Sequence, residues 1–335
     1  MKHRIEFIDL AKGICILQVV LLHVYGDTSG EVIKVMNLFR MPLYFVLSGI
    51  FFKTYDGLLP FVKKKTNKLL IPFFSSFFIV VLPSTFLLNK KVGIDTTFCN
   101  LLFAEYGRFN LGINGASWFL ICLFVVNIIF YVIFLLGQRN IIAITVGGGL
   151  CGVVGYMLNV YGQHLPMWID SALTATPFFI IGYVMKQYSG ILYDGFSNKY
   201  HLLLLFSLFV LLGIYGINEY QGKNIIAFGD NRFDMNIVFL YVAGMAGTYC
   251  VLIISKYFSY LPVVSYIGRY SIVVLLTHLL YLFVIRNVLY LLNVNQESGF
   301  VNFGVFVIIV ILSLPTIKFC VKYLPYCFAQ KDILK

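Results

Sequence analysis

The 335-residue chain is 60% hydrophobic and 12% charged, against about 25% charged in a soluble domain, which excludes a soluble globular protein and indicates an integral membrane protein. Its formal net charge of +11 would suit nucleic acid, but the basic residues lie in short stretches between apolar runs rather than along one soluble face. Nucleic acid is therefore not an expected partner, and positive-inside topology accounts for the charge.

Apolar runs close to the roughly 20 residues that a membrane helix requires occur at 5–24, 32–52, 69–88, 117–136, 141–161, 170–186, 202–217, 235–254, 267–292 and 301–321. The expected fold is all-α, a polytopic integral membrane protein with about ten transmembrane helices. The first run opens like a signal peptide, but Glu6, Asp9 and Lys12 interrupt it and no small-residue cleavage site follows, so it is expected to remain as the first span. Lys12 and His23, eleven positions apart, project from one face of that helix about 16 Å apart along its axis. Asp9 lies one turn earlier on the same face. Ionisable side chains at such depth are costly and mark functional sites facing the protein interior.

The second run carries Arg40 about two turns from its start, and the short connection between the two runs is expected to let His23 approach Arg40. A neighbouring guanidinium in a low dielectric keeps an imidazole neutral and able to accept a proton. KKKTNK at 63–68 reads first as a topology signal facing anionic lipid. The connections 89–116 and 218–234 are long, and such loops more often bind than merely span; Glu105 and Arg108 in the first read as solvated charges, with substrate contact as the alternative.

Trp118, at the head of the fourth run, suits an interfacial belt or a stacking platform. GGGLCGVVG at 147–155 lacks the lysine and the preceding strand of a phosphate loop, so Gly148 and Gly152 read as a small-xxx-small packing pair. Asp170 lies at the margin of the sixth run. His278, within the ninth, has a packing or helix-bonding role and a cavity contact as competing readings. The seven cysteines are scattered singly without CxxC or metal spacing; they read as packing residues, with no metal site and no disulfide framework expected.

An even number of spans places both termini on one side. Lys2, Arg4, Lys53, Lys63, Lys64, Lys65, Lys68, Arg139, Lys186, Lys199, Lys256, Arg269 and the tail lysines fall there, so both termini are expected in the cytoplasm. The opposite side receives fewer basic residues, chiefly Lys34, Lys90, Lys91, Arg108, Lys223, Arg232 and Arg286. The expected organisation is one transmembrane domain over 1–325 and a short cytoplasmic tail over 326–335.

RIEFIDLAKGICILQVVLLH at 4–23 followed by NLFRMPLYFVLSGIFFK at 37–53 resembles the start of the membrane-bound acyltransferase 3 family, which includes fucose 4-O-acetylase-like O-acetyltransferases of bacterial polysaccharides. The family's Lys/Arg, ten residues, His pattern falls on Lys12 and His23. Its Met-Pro, aromatic run, Ser-Gly element falls on Met41, Pro42, Tyr44, Phe45, Ser48 and Gly49. SWFL at 117–120, PFFIIGY at 177–183 and GRYSIVVLLTH at 268–278 resemble its later elements.

The resemblance implies a multi-pass enzyme of a bacterial inner membrane. It would move an acetyl or similar acyl group from cytoplasmic acetyl-CoA or another acyl-CoA, a co-substrate rather than a bound cofactor, to a sugar hydroxyl. The acceptor would be an envelope exopolysaccharide or its lipid-linked precursor. His23 would act as general base, with an acyl-histidine intermediate as the covalent variant. Arg40 would steady the oxyanion or orient the sugar. Lys12 and Asp9 would line the donor path, and KKKTNK would attract the CoA phosphates if it does more than set topology. Trp118, His278 and Ser48 are candidate acceptor or cavity contacts.

Longer members carry a hydrolase-like domain after the last span, whereas here the membrane domain itself is expected to handle the acceptor. The alternative function is a transporter or flippase for a lipid-linked sugar, with the same residues as a proton relay; the lack of internal repeat symmetry argues against it. A sensor or scaffold would not explain a lysine, a histidine and an arginine placed in lipid at such cost.

Overall fold

The computed structural model describes residues 6–26, 30–81, 112–188, 192, 197–223 and 225–334. Helix α1 (Glu6–Tyr25) is followed by α2 (Glu31–Ile50), and then by α3 (Leu58–Lys65) and α4 (Ile71–Ser76), which are linked and followed by wider π turns at Thr66–Leu70 and Phe77–Val81. After a tight helical turn at Gly112–Ser117 come α5 (Trp118–Leu136), α6 (Ile141–Val160), α7 (Ile169–Tyr188), α8 (Lys199–Tyr220) and α9 (Ile237–Phe258). The chain continues through α10 (Pro262–Arg269), α11 (Ser271–Leu291) and α12 (Gly299–Tyr323).

Among the described residues, 9 helices are long and apolar enough to cross a membrane, because a helix satisfies its own backbone where no water can. The protein is all-α and polytopic, as expected. The remaining expected span, 69–88, begins within the helical stretch that opens at Leu58. Its residues 82–88 lie outside the described residues, as do Lys2, Arg4, Lys90, Lys91, Glu105 and Arg108.

Two expectations need correction. The run 267–292 is not one helix: α10 stops at Arg269 and α11 starts at Ser271, with Tyr270 between them at φ −116 and ψ 29. Hydropathy continues across the break, but the backbone does not.

The connection 218–234 is not structureless either. α8 runs to Tyr220, and β1 (Ile226–Ala227) pairs antiparallel with β2 (Arg232–Phe233). Asn231 turns the hairpin at a left-handed φ of 46, and Phe228 and Phe233 are buried. The Asn231 side chain accepts from Thr174 Oγ1 at 2.8 Å and donates to the Gly155 carbonyl at 2.9 Å, tying the hairpin to α6 and α7.

The chain forms two compact units, one of Met1–Cys15, Thr28–Thr54 and Val125–Arg269, the other of Ile16–Asp27, Tyr55–Phe124 and Tyr270–Lys335. In the first, α2 packs against α7 and α9, α6 against α7, and α8 against α9. The central position of α2 follows from burial: 78% of its apolar window is buried, against 22% for α6 and for α8. The small-residue reading of α6 holds, since Gly148, Gly152 and Gly155 are all buried. A side chain at Gly152 would strike Pro177 and Tyr241. Asn140 caps α6 by accepting from Ile142 N at 2.9 Å, and Asn236 caps α9 by accepting from Val238 N at 2.7 Å, which satisfies orphan donors at the helix starts.

In the second unit, α11 packs against α12 and against the turn at Gly112–Ser117. The C-terminal segment also docks here. Asn67 Oδ1 accepts from Ile333 N at 2.8 Å and Leu334 N at 2.9 Å, and its Nδ2 donates to the Leu334 carbonyl at 2.8 Å. Lys64 pairs with Asp332, Lys68 Nζ lies 3.2 Å from the same carboxylate, and Phe328 is buried. Lys64 and Lys68, two of the four lysines of the basic stretch, therefore share one carboxylate.

The hydrogen bond from Lys64, with help from Lys68, holds the Asp332 carboxyl below the usual carboxylate range. A carboxyl lowered on folding stabilises the docked form above its unfolded value, about 3.9. That contribution fades as pH falls through the lower folded value. With Lys64, Asp332 and Lys68 at 35%, 31% and 36% exposure, solvent screening limits it to about 1 kcal/mol or less. Asp332→Asn is expected to speed protease cleavage within 326–335 at neutral pH, and wild type should converge on the variant only as pH falls from about 4 through the lower folded value of Asp332. Equal cleavage of both proteins at neutral pH would refute the clamp.

Candidate active site

The first unit holds Asp9, Lys12, Arg40 and Ser48. A Cβ placed on Gly13 would overlap the Val264 carbonyl, and one on Gly268 the Asp9 carbonyl, so α1 and α10 touch backbone to backbone beside Lys12. The Lys12 ammonium lies 4.4 Å from the centroid of the Phe51 ring, where a ring face stabilises a cation by about 0.5–2 kcal/mol. Cys15 donates its thiol to the Arg40 carbonyl at 3.1 Å, tying α1 to α2. Arg40 is only 8% exposed and donates from Nη1 to Asn37 Oδ1 at 3.0 Å, one turn back; it is a buried cation rather than one reaching out of its helix. Ser48 donates to the Tyr44 carbonyl at 2.8 Å and is part-buried.

The second unit holds His23 and His278. Their ring centroids are 5.2 Å apart with an interplanar angle of 40°. His23 stands in the last turn of α1, which ends at Gly26 with φ 83, a left-handed cap that glycine adopts without strain. His23 is part-exposed, whereas His278 has 0% exposure.

Three polar residues of this unit occupy positions that the sequence does not announce. Arg286 on α11 donates from Nη2 to the Val24 carbonyl at 2.8 Å and to Asn302 Oδ1 at 2.5 Å, and so anchors the end of α1 next to His23. In the sequence it is only one of the basic residues on the side opposite the termini. Gln18 and Ser117 are buried, and Gln18 Oε1 and Ser117 Oγ find no hydrogen-bond partner among the described residues; in lipid-length apolar runs, an uncharged polar side chain gives little signal. Trp118, next to Ser117, opens α5 part-buried, with its ring edge-on to Phe119 at 6.1 Å.

In the first unit, the margin residue Asp170 is completely buried, and its Oδ2 lies 3.3 Å from His164 Nδ1. Among the described residues, no group of three or more His, Cys, Asp or Glu side chains converges as a metal site would.

A family model described as an acyltransferase domain matches residues 5–318. The chain belongs to the acyltransferase 3 family. The match takes in His23, His278, Arg40, Lys12 and the other residues of the candidate site. No curated protein and no solved structure matches this acyltransferase. As a membrane acyltransferase, it needs a base for an attacking nucleophile and a stabiliser for a developing oxyanion.

Proposed function

We propose that the protein is an O-acyltransferase that moves an acetyl or similar acyl group from acyl-CoA to a sugar hydroxyl. The acceptor is an envelope polysaccharide or its lipid-linked precursor. The observation that carries this reading is the part-exposed imidazole of His23 at the carbonyl end of α1, backed by a second imidazole, in a chain of the acyltransferase 3 family.

His23 removes the proton from the acceptor hydroxyl as its oxygen attacks the thioester carbonyl. Arg40 supplies positive charge for the oxyanion or orients the sugar, and Lys12 with Asp9 lines the donor path. Trp118 and Ser48 contact the acceptor. Both termini lie in the cytoplasm of a bacterial cell, the donor enters from that side, and the acceptor is met on the other. An acyl-histidine intermediate is the covalent form of the same assignment, and acid quenching followed by peptide mass mapping distinguishes it from direct transfer.

The test uses the full chain in lipid nanodiscs with acetyl-labelled acetyl-CoA and envelope glycan isolated from cells lacking the protein. Label appearing in the glycan as an alkali-labile ester is the expected result. Passage of a fluorescent lipid-linked sugar across a vesicle without donor consumption would replace this reading with the flippase. Substituting propionyl- or succinyl-CoA defines the acyl group.

A further inference from the structure

A neutral imidazole has one N–H and one bare nitrogen, and its neighbours decide which is which. His278 Nδ1 lies 2.8 Å from the carbonyl oxygen of Val274, one turn back on α11. A carbonyl oxygen only accepts, so Nδ1 carries the hydrogen and Nε2 carries the lone pair. That Nε2 has no hydrogen-bond partner among the described residues, and the residue has 0% exposure. A buried acceptor without a donor costs about 1–3 kcal/mol.

His23 is the neighbouring ring that can supply the donor. Two imidazoles joined by an N–H···N bond of about 3 Å have centroids a little over 5 Å apart, and these stand at 5.2 Å. The Val274 bond fixes the His278 ring, and at a centroid separation of 5.2 Å a turn of the His23 ring can bring an N–H within reach of Nε2. Catalytic hydrogen bonds commonly tighten in this way only when substrate is bound. Exposure sets the order of the pair: a substrate hydroxyl can reach part-exposed His23, whereas Nε2 of His278 is sealed from it.

We infer that His278 is a positioning residue for His23, its Nε2 accepting an N–H from one nitrogen of the His23 ring so that the other nitrogen presents its lone pair to the acceptor hydroxyl. The inference rests on the acyl-transfer reading above. In the reaction, the hydroxyl O–H bond breaks and an N–H bond forms on His23, while the oxygen bonds to the thioester carbonyl carbon. The C–S bond then breaks and the proton on His23 passes to the departing sulfur, leaving an ester and a thiol. Between these steps the imidazolium of His23 donates to Nε2 of His278, which spreads its charge through the pair.

Two variants and one spectroscopic measurement test it. Full-length His278→Leu, which has no acceptor, should lower kcat for label transfer from acetyl-CoA to the glycan about ten- to a hundredfold, with both KM values within about twofold of wild type. His278→Gln, whose side-chain oxygen reaches the place of Nε2, should recover most of that loss at the same thermal stability. An undiminished kcat in the leucine variant, or a glutamine variant as slow as the leucine one, would overturn the role.

Nitrogen-15 NMR of histidine-labelled wild type in nanodiscs, assigned by the resonance lost in His278→Gln, should show Nδ1 protonated and Nε2 as an acceptor. The reverse tautomer would overturn the proposal whether or not the protein transfers acyl groups. Absence of transfer by wild type with the expected tautomer intact would instead sink the acyl-transfer reading.

Discussion

Full-length His23→Ala is expected to lose label transfer from acyl-CoA by about two to four orders of magnitude, the usual worth of a positioned general base. Its thermal transition should stay within a few degrees of wild type. The two expectations follow from one feature: His23 is part-exposed in the last turn of α1, so truncation opens no sealed cavity, and α1 remains anchored through the Arg286 bond to the Val24 carbonyl. His23→Gln keeps polarity but cannot take up the proton, and it should be as inactive as alanine. A His23→Ala protein that retained a tenth or more of wild-type transfer would remove His23 from the role of base and move attention to another nucleophile or base in the same unit.

Gly182→Val is expected to have the largest effect on folding, leaving no monodisperse protein on extraction, with Gly182→Ala lowering stability by about 1–3 kcal/mol. α2 and α7 meet backbone to backbone: a Cβ on Gly182 would overlap the Val46 carbonyl, and one on Gly49 would overlap the Phe179 carbonyl. Neither carbonyl can rotate away, so the two helices must separate, and in lipid close packing is the main force holding them together. Gly148→Ala is a milder case because its Cβ meets the end of the Ile180 side chain, which can move. Gly149→Ala is the control, with nothing within 4 Å of the added atom. Fluorescence-detected size exclusion after stepped heating would rank the four. Stability of Gly182→Val equal to that of the Gly149 control would refute the backbone contact.

The same contacts explain where sequence reasoning reached and where it stopped. Hydropathy placed the ends of α1, α2, α5 to α9 and α12 within a few residues, and the glycine spacing in α6 announced close helix packing, though not that its partner is α7. Lys12, His23 and Arg40 stood out because charge in an apolar run is costly. By contrast, the break at Tyr270 lies inside an unbroken apolar run, and the hairpin at Ile226–Phe233 depends on Asn231 finding Thr174 and Gly155. Arg286 meets Val24 across 262 positions of sequence, and Lys64 meets Asp332 across 268.

The sequence by itself determined that this chain is a helical membrane protein, where most spans run, and which costly side chains they carry. Those are local consequences of length, hydropathy and self-satisfied backbone hydrogen bonds. Only the tertiary structure decided that His23 has His278 behind it, that His278 is sealed with its acceptor nitrogen bare, and that the basic stretch is closed by the C-terminal segment. Lipid is as apolar as a leucine core, so hydropathy does not distinguish a buried helix face from a lipid-facing one. Which faces meet is set by backbone approach at small residues and by polar groups that satisfy one another far along the chain.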